Sequence, residues 1–72
     1  MTFGERLNLA RKSKGLTAKN IANALSIGIR SYRAYESGDR EPNLANLVRI
    51  ADALNVTTDF LLGRESTEAP AG

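Results

Sequence analysis

A chain of 72 residues is long enough for one small domain, and it contains neither cysteine nor histidine, which excludes a disulfide framework, thiolate chemistry and an imidazole base or metal ligand. The net charge is only +2, but residues 1 to 44 carry eight basic and four acidic side chains, whereas residues 45 to 72 carry two and four. A basic half is what binding to a polyanion requires, although small proteins also acquire uneven charge by chance.

Helix signals recur along the whole chain, and no run of alternating β-branched residues indicates a strand. Thr2, Thr17, Asn43 and Thr57 each precede a helical pattern and are suited to cap its first turn. Glycine or asparagine residues are placed to end four of the helices. The predicted helices run from about residue 3 to 14, 18 to 25, 29 to 36, 44 to 54 and 58 to 62.

The third predicted helix divides its residues between two faces. At 100° per residue, Tyr32 and Tyr35 lie opposite Arg30 and Ala34. We therefore expect the tyrosines to pack inward. The outward face is expected to hold Ile29, Arg30, Arg33 and Ala34.

The fourth predicted helix has one apolar stripe, which predicts that this side faces the core. The stripe consists of Leu44, Leu47, Ile50, Ala51 and Leu54. Residues 1–64 should form the compact domain. Residues 65–72 contain no large apolar side chain, so we expect a flexible tail or the start of a linker.

Four short motifs follow one another along the chain: YESG at 35–38, REP at 40–42, IADAL at 50–54 and DFLLG at 59–63. Each is weak alone, but in this order they are specific. From about residue 2 to 64 the chain resembles the phage Cro/CI-type helix-turn-helix repressors and the related XRE-like bacterial regulators. The resemblance implies a compact, all-α, five-helix bundle of the lambda-repressor type. It also implies that helix 3 enters the major groove of DNA, that helix 2 lies across the backbone, and that a dimer reads a roughly two-fold operator.

The resemblance further implies roles for individual residues by their position. The base-facing positions correspond to Ile29, Arg30, Arg33 and Ala34, and the phosphate-facing positions to Lys19, Asn20, Ser31 and Arg40. Arg11 and Glu36 correspond to an ion pair that ties helix 1 to the end of helix 3, and Val56, Thr58 and Leu62 to a dimer surface.

For several of these residues the alternative is a non-specific or purely structural role. Arg30 and Arg33 could contact phosphate or water rather than guanine. Ile29 could lie against a thymine methyl group or form an apolar staple at the helix start. The apolar residues of the dimer surface could serve only to close the core.

Three residues depart from the pattern of the family, and all lie in helix 2, the turn or helix 3. Ala18 stands where a glutamine usually reaches a phosphate, so that contact is lost. Ser26 stands where the turn usually has glycine, so its backbone must be strained or shifted. Tyr32 replaces a smaller aliphatic residue and brings a hydroxyl that needs a partner.

We therefore expect a sequence-specific regulator of transcription, a repressor that binds double-stranded DNA as a homodimer. The alternative is a protein-binding module of the same fold, an antitoxin or antirepressor. Carboxylates are scattered and no nucleophile–base or metal-ligand spacing occurs, so we expect no enzyme activity, no metal, no cofactor and no small-molecule ligand. No apolar run approaches about 20 residues and the N-terminus is polar, so we expect no membrane association and a cytoplasmic location.

Overall fold

The computed structural model describes residues 1–64, which form five α-helices and no strand. The helices are α1 (Phe3–Ser13), α2 (Ala18–Leu25), α3 (Ile29–Ser37), α4 (Leu44–Leu54) and α5 (Thr58–Leu62). The all-α prediction is confirmed, with α1 ending one residue earlier and α3 one residue later than expected. The predicted tail, residues 65–72, lies outside the described part of the chain.

Side chains cap four of the five helices, which explains why their first residues are predictable from sequence. In α2 the capping is reciprocal: the Asn20 amide donates to the Thr17 hydroxyl at 3.0 Å, and the Thr17 amide donates to Asn20 Oδ1 at 2.9 Å. Such a cap typically stabilises a helix by about 1 kcal/mol. The four capping residues are Thr2, Thr17, Asn43 and Thr57.

All five helices contribute to one apolar core, and α3 lies between α1 and α2. Tyr32 is the largest of its fully buried side chains. Gly4 allows α1 to approach the end of α3 closely, because a β-carbon there would collide with the Glu36 backbone carbonyl. The buried residues are Leu7, Ala10, Ile21, Ala22, Leu25, Tyr32, Tyr35, Ile50, Ala51, Leu54 and Leu61.

The turn between α2 and α3 depends on a left-handed residue. Ser26 has φ 57° and ψ 40°, a conformation that costs a residue with a β-carbon roughly 1–2 kcal/mol. The next amide, that of Ile27, donates to the Ala22 carbonyl at 3.0 Å, and the Ile27 side chain packs against the core. The strain expected at Ser26 is therefore present, and the turn fixes the direction in which α3 leaves.

The prediction that Leu44 lies on the inner stripe of α4 is wrong, because its side chain is 81% exposed. Leu44 is the first residue of α4, and the apolar stripe extends about one turn beyond the surface that the helix buries. Leu47 is half-buried, and burial becomes complete only at Ile50 and Leu54. The start of α4 thus leaves an apolar side chain at the surface.

Candidate nucleic-acid interface

Helix α3 buries two tyrosines and exposes two arginines. Tyr32 and Tyr35 are 0% and 6% exposed, and their rings meet edge to face with centroids 6.5 Å apart. Arg30 and Arg33 are exposed on the opposite part of the helix surface. Because the buried rings fix one side of α3, the arginines are held toward solvent.

The other residues of the predicted base-facing surface are only partly accessible. Ile29 and Ala34 are half-buried, and Ile29 packs against the core. Ser31, which was predicted to face a phosphate, is also half-buried. Ile29 therefore supplies an apolar contact at the start of α3, as in the staple alternative, while part of its side chain stays accessible near Arg33. The accessible surface of α3 is thus dominated by Arg30 and Arg33.

The predicted phosphate-facing residues Lys19, Asn20 and Arg40 are exposed. Asn20 already has a structural task, because its Oδ1 atom accepts the hydrogen bond of the α2 capping box. Its Nδ2 group is the part of the side chain that could reach another partner. Arg40 follows α3, and its amide donates to the Ala34 carbonyl at 3.2 Å, which holds the loop against the end of the helix.

An ion pair joins α1 to the last turn of α3. Arg11 Nε donates to Glu36 Oε2 at 2.7 Å and its Nη2 donates to Oε1 at 3.3 Å. Arg11 Nη1 also donates to the Leu16 carbonyl at 2.8 Å, and Asn8 Nδ2 donates to Glu36 Oε1 at 2.8 Å. The resemblance implied this pair but not Asn8, whose position three residues before Arg11 puts both on one side of α1.

The electrostatics of this pair follow from its surroundings. Burial acts to raise the pKa of Glu36, but the hydrogen bond from Arg11, the neighbouring Tyr32 hydroxyl and the hydrogen bond from Asn8 outweigh it, so the pKa lies below its usual value. The bond to Glu36 raises the pKa of Arg11. The Tyr32 hydroxyl makes no hydrogen bond within the described residues, and burial and then the Glu36 carboxylate raise its pKa.

An open cleft of about 780 Å³ connects the α3 surface to the start of α2. It runs past the ion pair, and basic side chains from α1 and α3 reach it. Its lining includes Asn8, Arg11, Lys12, Thr17, Ala18 and Arg33. Of the predicted DNA-contacting positions only Arg33 lines the cleft, and the acidic side chains Glu5 and Glu36 line it as well. Lys12 was not among the predicted contacts, and only its place in the basic last turn of α1 signals it.

The residues of the predicted dimer surface differ in exposure. Val56 and Thr58 are half-buried, with Val56 packed against the core, whereas Leu62 is 47% exposed. Leu62 and the unexpectedly exposed Leu44 both line a shallow groove of about 250 Å³. Val48, on α4, is 50% exposed. These side chains give the α4–α5 side of the domain an apolar surface.

A family model described as helix-turn-helix matches residues 7–61. The chain belongs to the helix-turn-helix family. Among its relatives, the uncharacterised HTH-type transcriptional regulator YqaE of Bacillus subtilis is 46% identical over 66 residues, 92% of this chain and 57% of YqaE. The transcriptional repressor RstR of the cryptic phage CTXphi in Vibrio cholerae is 43% identical over 68 residues, 94% of this chain and 61% of RstR. The helix-turn-helix chain thus spans less than two thirds of these curated relatives.

Solved structures show the same architecture. The c2 repressor of phage P22, crystallised with a synthetic operator, matches with a TM-score of 0.84 and 25% identity over 90% of this chain and 98% of that one. The restriction-modification controller protein C.AhdI of Aeromonas hydrophila matches with a TM-score of 0.79 and 30% identity over 83% and 91%. The predicted five-helix fold and the Cro/CI-type, XRE-like family are therefore confirmed.

The named functions of the relatives can be compared with the function classes expected from the sequence. Its members found here are regulators of transcription rather than enzymes, which agrees with the expectation of no catalysis. These relatives are named transcriptional regulators or repressors, not antitoxins or antirepressors. Within residues 1–64 no helix is both long and apolar enough to cross a membrane, and the acidic side chains form no cluster that could hold a metal ion.

Proposed function

We propose that this helix-turn-helix domain is the DNA-reading domain of a cytoplasmic transcriptional repressor and binds a two-fold operator as a homodimer, with α3 in the major groove. The observation that carries the proposal is the exposure of Arg30 and Arg33 on a helix whose other side is fixed by buried tyrosines. An arginine can donate two parallel hydrogen bonds to O6 and N7 of guanine. The related c2 repressor is in complex with a synthetic operator, which supports DNA binding by a domain of this fold.

Contacts to the DNA backbone would come from the start of α2 and from the two ends of α3. The α2 capping box occupies the amides of Thr17 and Asn20, so the amides of Ala18 and Lys19 are the ones that can point at a phosphate. The Lys19 ammonium adds positive charge at this end. Ser31 and Arg40 would contact phosphates beside the α3 surface. Such contacts set the register of the helix without reading sequence.

A second copy would cover the apolar surface of α4 and α5. One domain reads only one half-site, so dimerisation adds the affinity of a second half-site without new base contacts. Leu44, Val48 and Leu62 are exposed on these helices, next to the half-buried Val56 and Thr58. The apolar contact would explain why large apolar side chains remain at this surface.

Selection of bound duplexes from a random DNA pool tests the proposal. We expect a palindromic consensus, and we expect Arg30→Ala and Arg33→Ala to weaken binding to it by roughly 5- to 150-fold, the value of 1–3 kcal/mol per bidentate guanine contact. Arg49→Ala, which removes an exposed arginine from α4, is the control and should leave base preference unchanged. Absence of any enriched sequence would refute DNA reading. A loss of stability well above about 0.5 kcal/mol in the α3 variants would mean that this face belongs to the core.

A further inference from the structure

We infer that Tyr32 is a positioning residue for sequence recognition: its ring sets how far α3 stands out from the domain and therefore which bases Arg30 and Arg33 reach. The inference rests on the proposed function and concerns the specificity of the same surface. It assigns this task to a residue that cannot itself touch DNA, because its side chain is fully buried.

Tyr32 lies on the opposite side of α3 from Arg30. Arg30 and Tyr32 are two residues apart, which is about 200° around the helix, so the ring lies directly beneath the arginine. Ala34 is two residues further on and occupies the same outward side as Arg30. A larger or smaller side chain at position 32 therefore moves α3 away from or toward the core, along the direction in which Arg30 points.

The packing around the Tyr32 ring determines how closely α3 approaches its neighbouring helices. Tyr32 is the largest fully buried side chain, and α3 is packed against both α1 and α2. Protein interiors are close-packed, so a smaller side chain leaves a cavity or lets the helix move inward. The close approach at Gly4 holds the last turn of α3 near α1. Inward movement would therefore tilt α3 about its C-terminal end rather than shift it uniformly.

The Tyr32 hydroxyl is buried close to the ion pair between Arg11 and Glu36. It is buried without a hydrogen-bond partner within the described residues, which costs free energy that phenylalanine would avoid. Glu36 and Arg11 both act on the pKa of Tyr32, which places the hydroxyl beside the ion pair that fixes the end of α3. The side chain thus fills the space between the middle of α3 and its anchored end. The aromatic ring is the part of Tyr32 that fills this space.

The test compares Tyr32→Phe with Tyr32→Leu in binding to the selected consensus and to its single-base variants. Tyr32→Phe keeps the ring and should hold the ratio of these affinities within about twofold of the unchanged protein. Tyr32→Leu should change the ratio at the Arg30 or Arg33 positions by about tenfold, within the discrimination that guanine contacts provide, or shift the consensus. Circular dichroism at the assay temperature ensures that only folded protein is compared.

Leu54→Val serves as the matched control, because Leu54 is fully buried on α4, which packs mainly against α2 and α5. It should lower stability without changing base preference. If Tyr32→Leu does not fold, Tyr32→Met takes its place under the same criterion. An unchanged consensus and ratio in the leucine or methionine variant overturns the inference, as does an equal change in Leu54→Val. A chain with Tyr32 intact that enriches no sequence refutes the proposed function instead.

Discussion

Replacing Glu36 with glutamine removes the negative charge that joins α1 to α3 and keeps the size of the side chain. In the structure the carboxylate accepts three hydrogen bonds, at 2.7 and 3.3 Å from Arg11 and at 2.8 Å from Asn8. Glutamine keeps one acceptor oxygen, but its amide NH2 group replaces the other oxygen and would face the N–H groups that Arg11 and Asn8 donate. One or two of the three bonds are therefore lost.

The magnitude follows from the burial of the pair. Hydrogen bonds to charged groups contribute about 1.5–3 kcal/mol each, and a fully buried charge left without its partner costs about 3–5 kcal/mol. Here the side chains of Arg11 and Glu36 are 13% and 14% exposed, so water recovers part of the loss. We expect the free energy of unfolding to fall by about 2 kcal/mol at neutral pH, or Tm by roughly 8–16 °C in a domain of this size.

The pH dependence of the stability difference shows whether the charge of Glu36 is responsible for it. Because the pKa of Glu36 in the folded chain is lower than its usual value of 4.5, its contribution is complete above about that pH and is lost as the pH falls through the folded-state value. The difference in stability between the unchanged chain and Glu36→Gln should therefore be constant near neutrality and shrink below about pH 4.5.

Urea unfolding followed by far-ultraviolet circular dichroism measures this difference at several pH values. Glu41→Gln, in the exposed loop after α3, is the control and should change stability by less than about 0.5 kcal/mol. Arg11→Met and the double variant complete a cycle that isolates the pair. A loss below about 0.5 kcal/mol for Glu36→Gln, or a difference that is as large at pH 3 as at pH 7, would refute the reasoning.

Four further predictions concern the same elements. Ala18→Gln should tighten binding to all DNA sequences alike, because it adds a backbone contact at the start of α2; unchanged affinity in filter binding would mean that α2 does not dock there. Tyr32→Phe should leave thermal stability unchanged or raise it by about 1 kcal/mol, and a comparable loss would show that the hydroxyl is hydrogen-bonded in solution. Ser26→Gly should raise stability by up to about 1 kcal/mol in urea unfolding, because glycine adopts the left-handed conformation without strain; a destabilised variant would contradict this. Gly4→Ala should cost about 3 kcal/mol or prevent folding, since its β-carbon meets backbone, whereas Gly28→Ala, which has open space, should stay within about 1 kcal/mol; equal melting temperatures would disprove the close approach.

Helix boundaries were predictable because they depend on local chemistry. Thr17 and Asn20 satisfy each other's backbone amides within one turn, and a side chain three residues from its target needs no tertiary structure to reach it. The two faces of α3 were predictable for a similar reason, since the 100° spacing alone separates Tyr32 and Tyr35 from Arg30. What a residue does within its own helix can be read from its neighbours.

Features that depend on how helices meet could not be predicted in this way. Leu44 continues the apolar stripe of α4 in sequence, but the stripe does not say where the neighbouring helices stop. Asn8 joins the Arg11–Glu36 pair only because α1 crosses the end of α3, and the ion pair itself came from resemblance rather than spacing. Gly4 did carry a signal, because glycine inside a helix is unfavourable and often marks a close approach.

Different contacts hold the two ends of α3, and the difference affects how the proposed recognition could change. At its start the left-handed Ser26 and the packing of Ile27 set the direction of the helix, and at its end Glu36 is held by α1. Neither anchor involves Arg30 or Arg33, so those side chains can be replaced without loss of fold. In the proposed mode of DNA binding, substitutions on the exposed face would therefore alter base preference one position at a time. A substitution beneath α3 would tilt the helix and alter several positions together, because every base-reaching side chain moves with it.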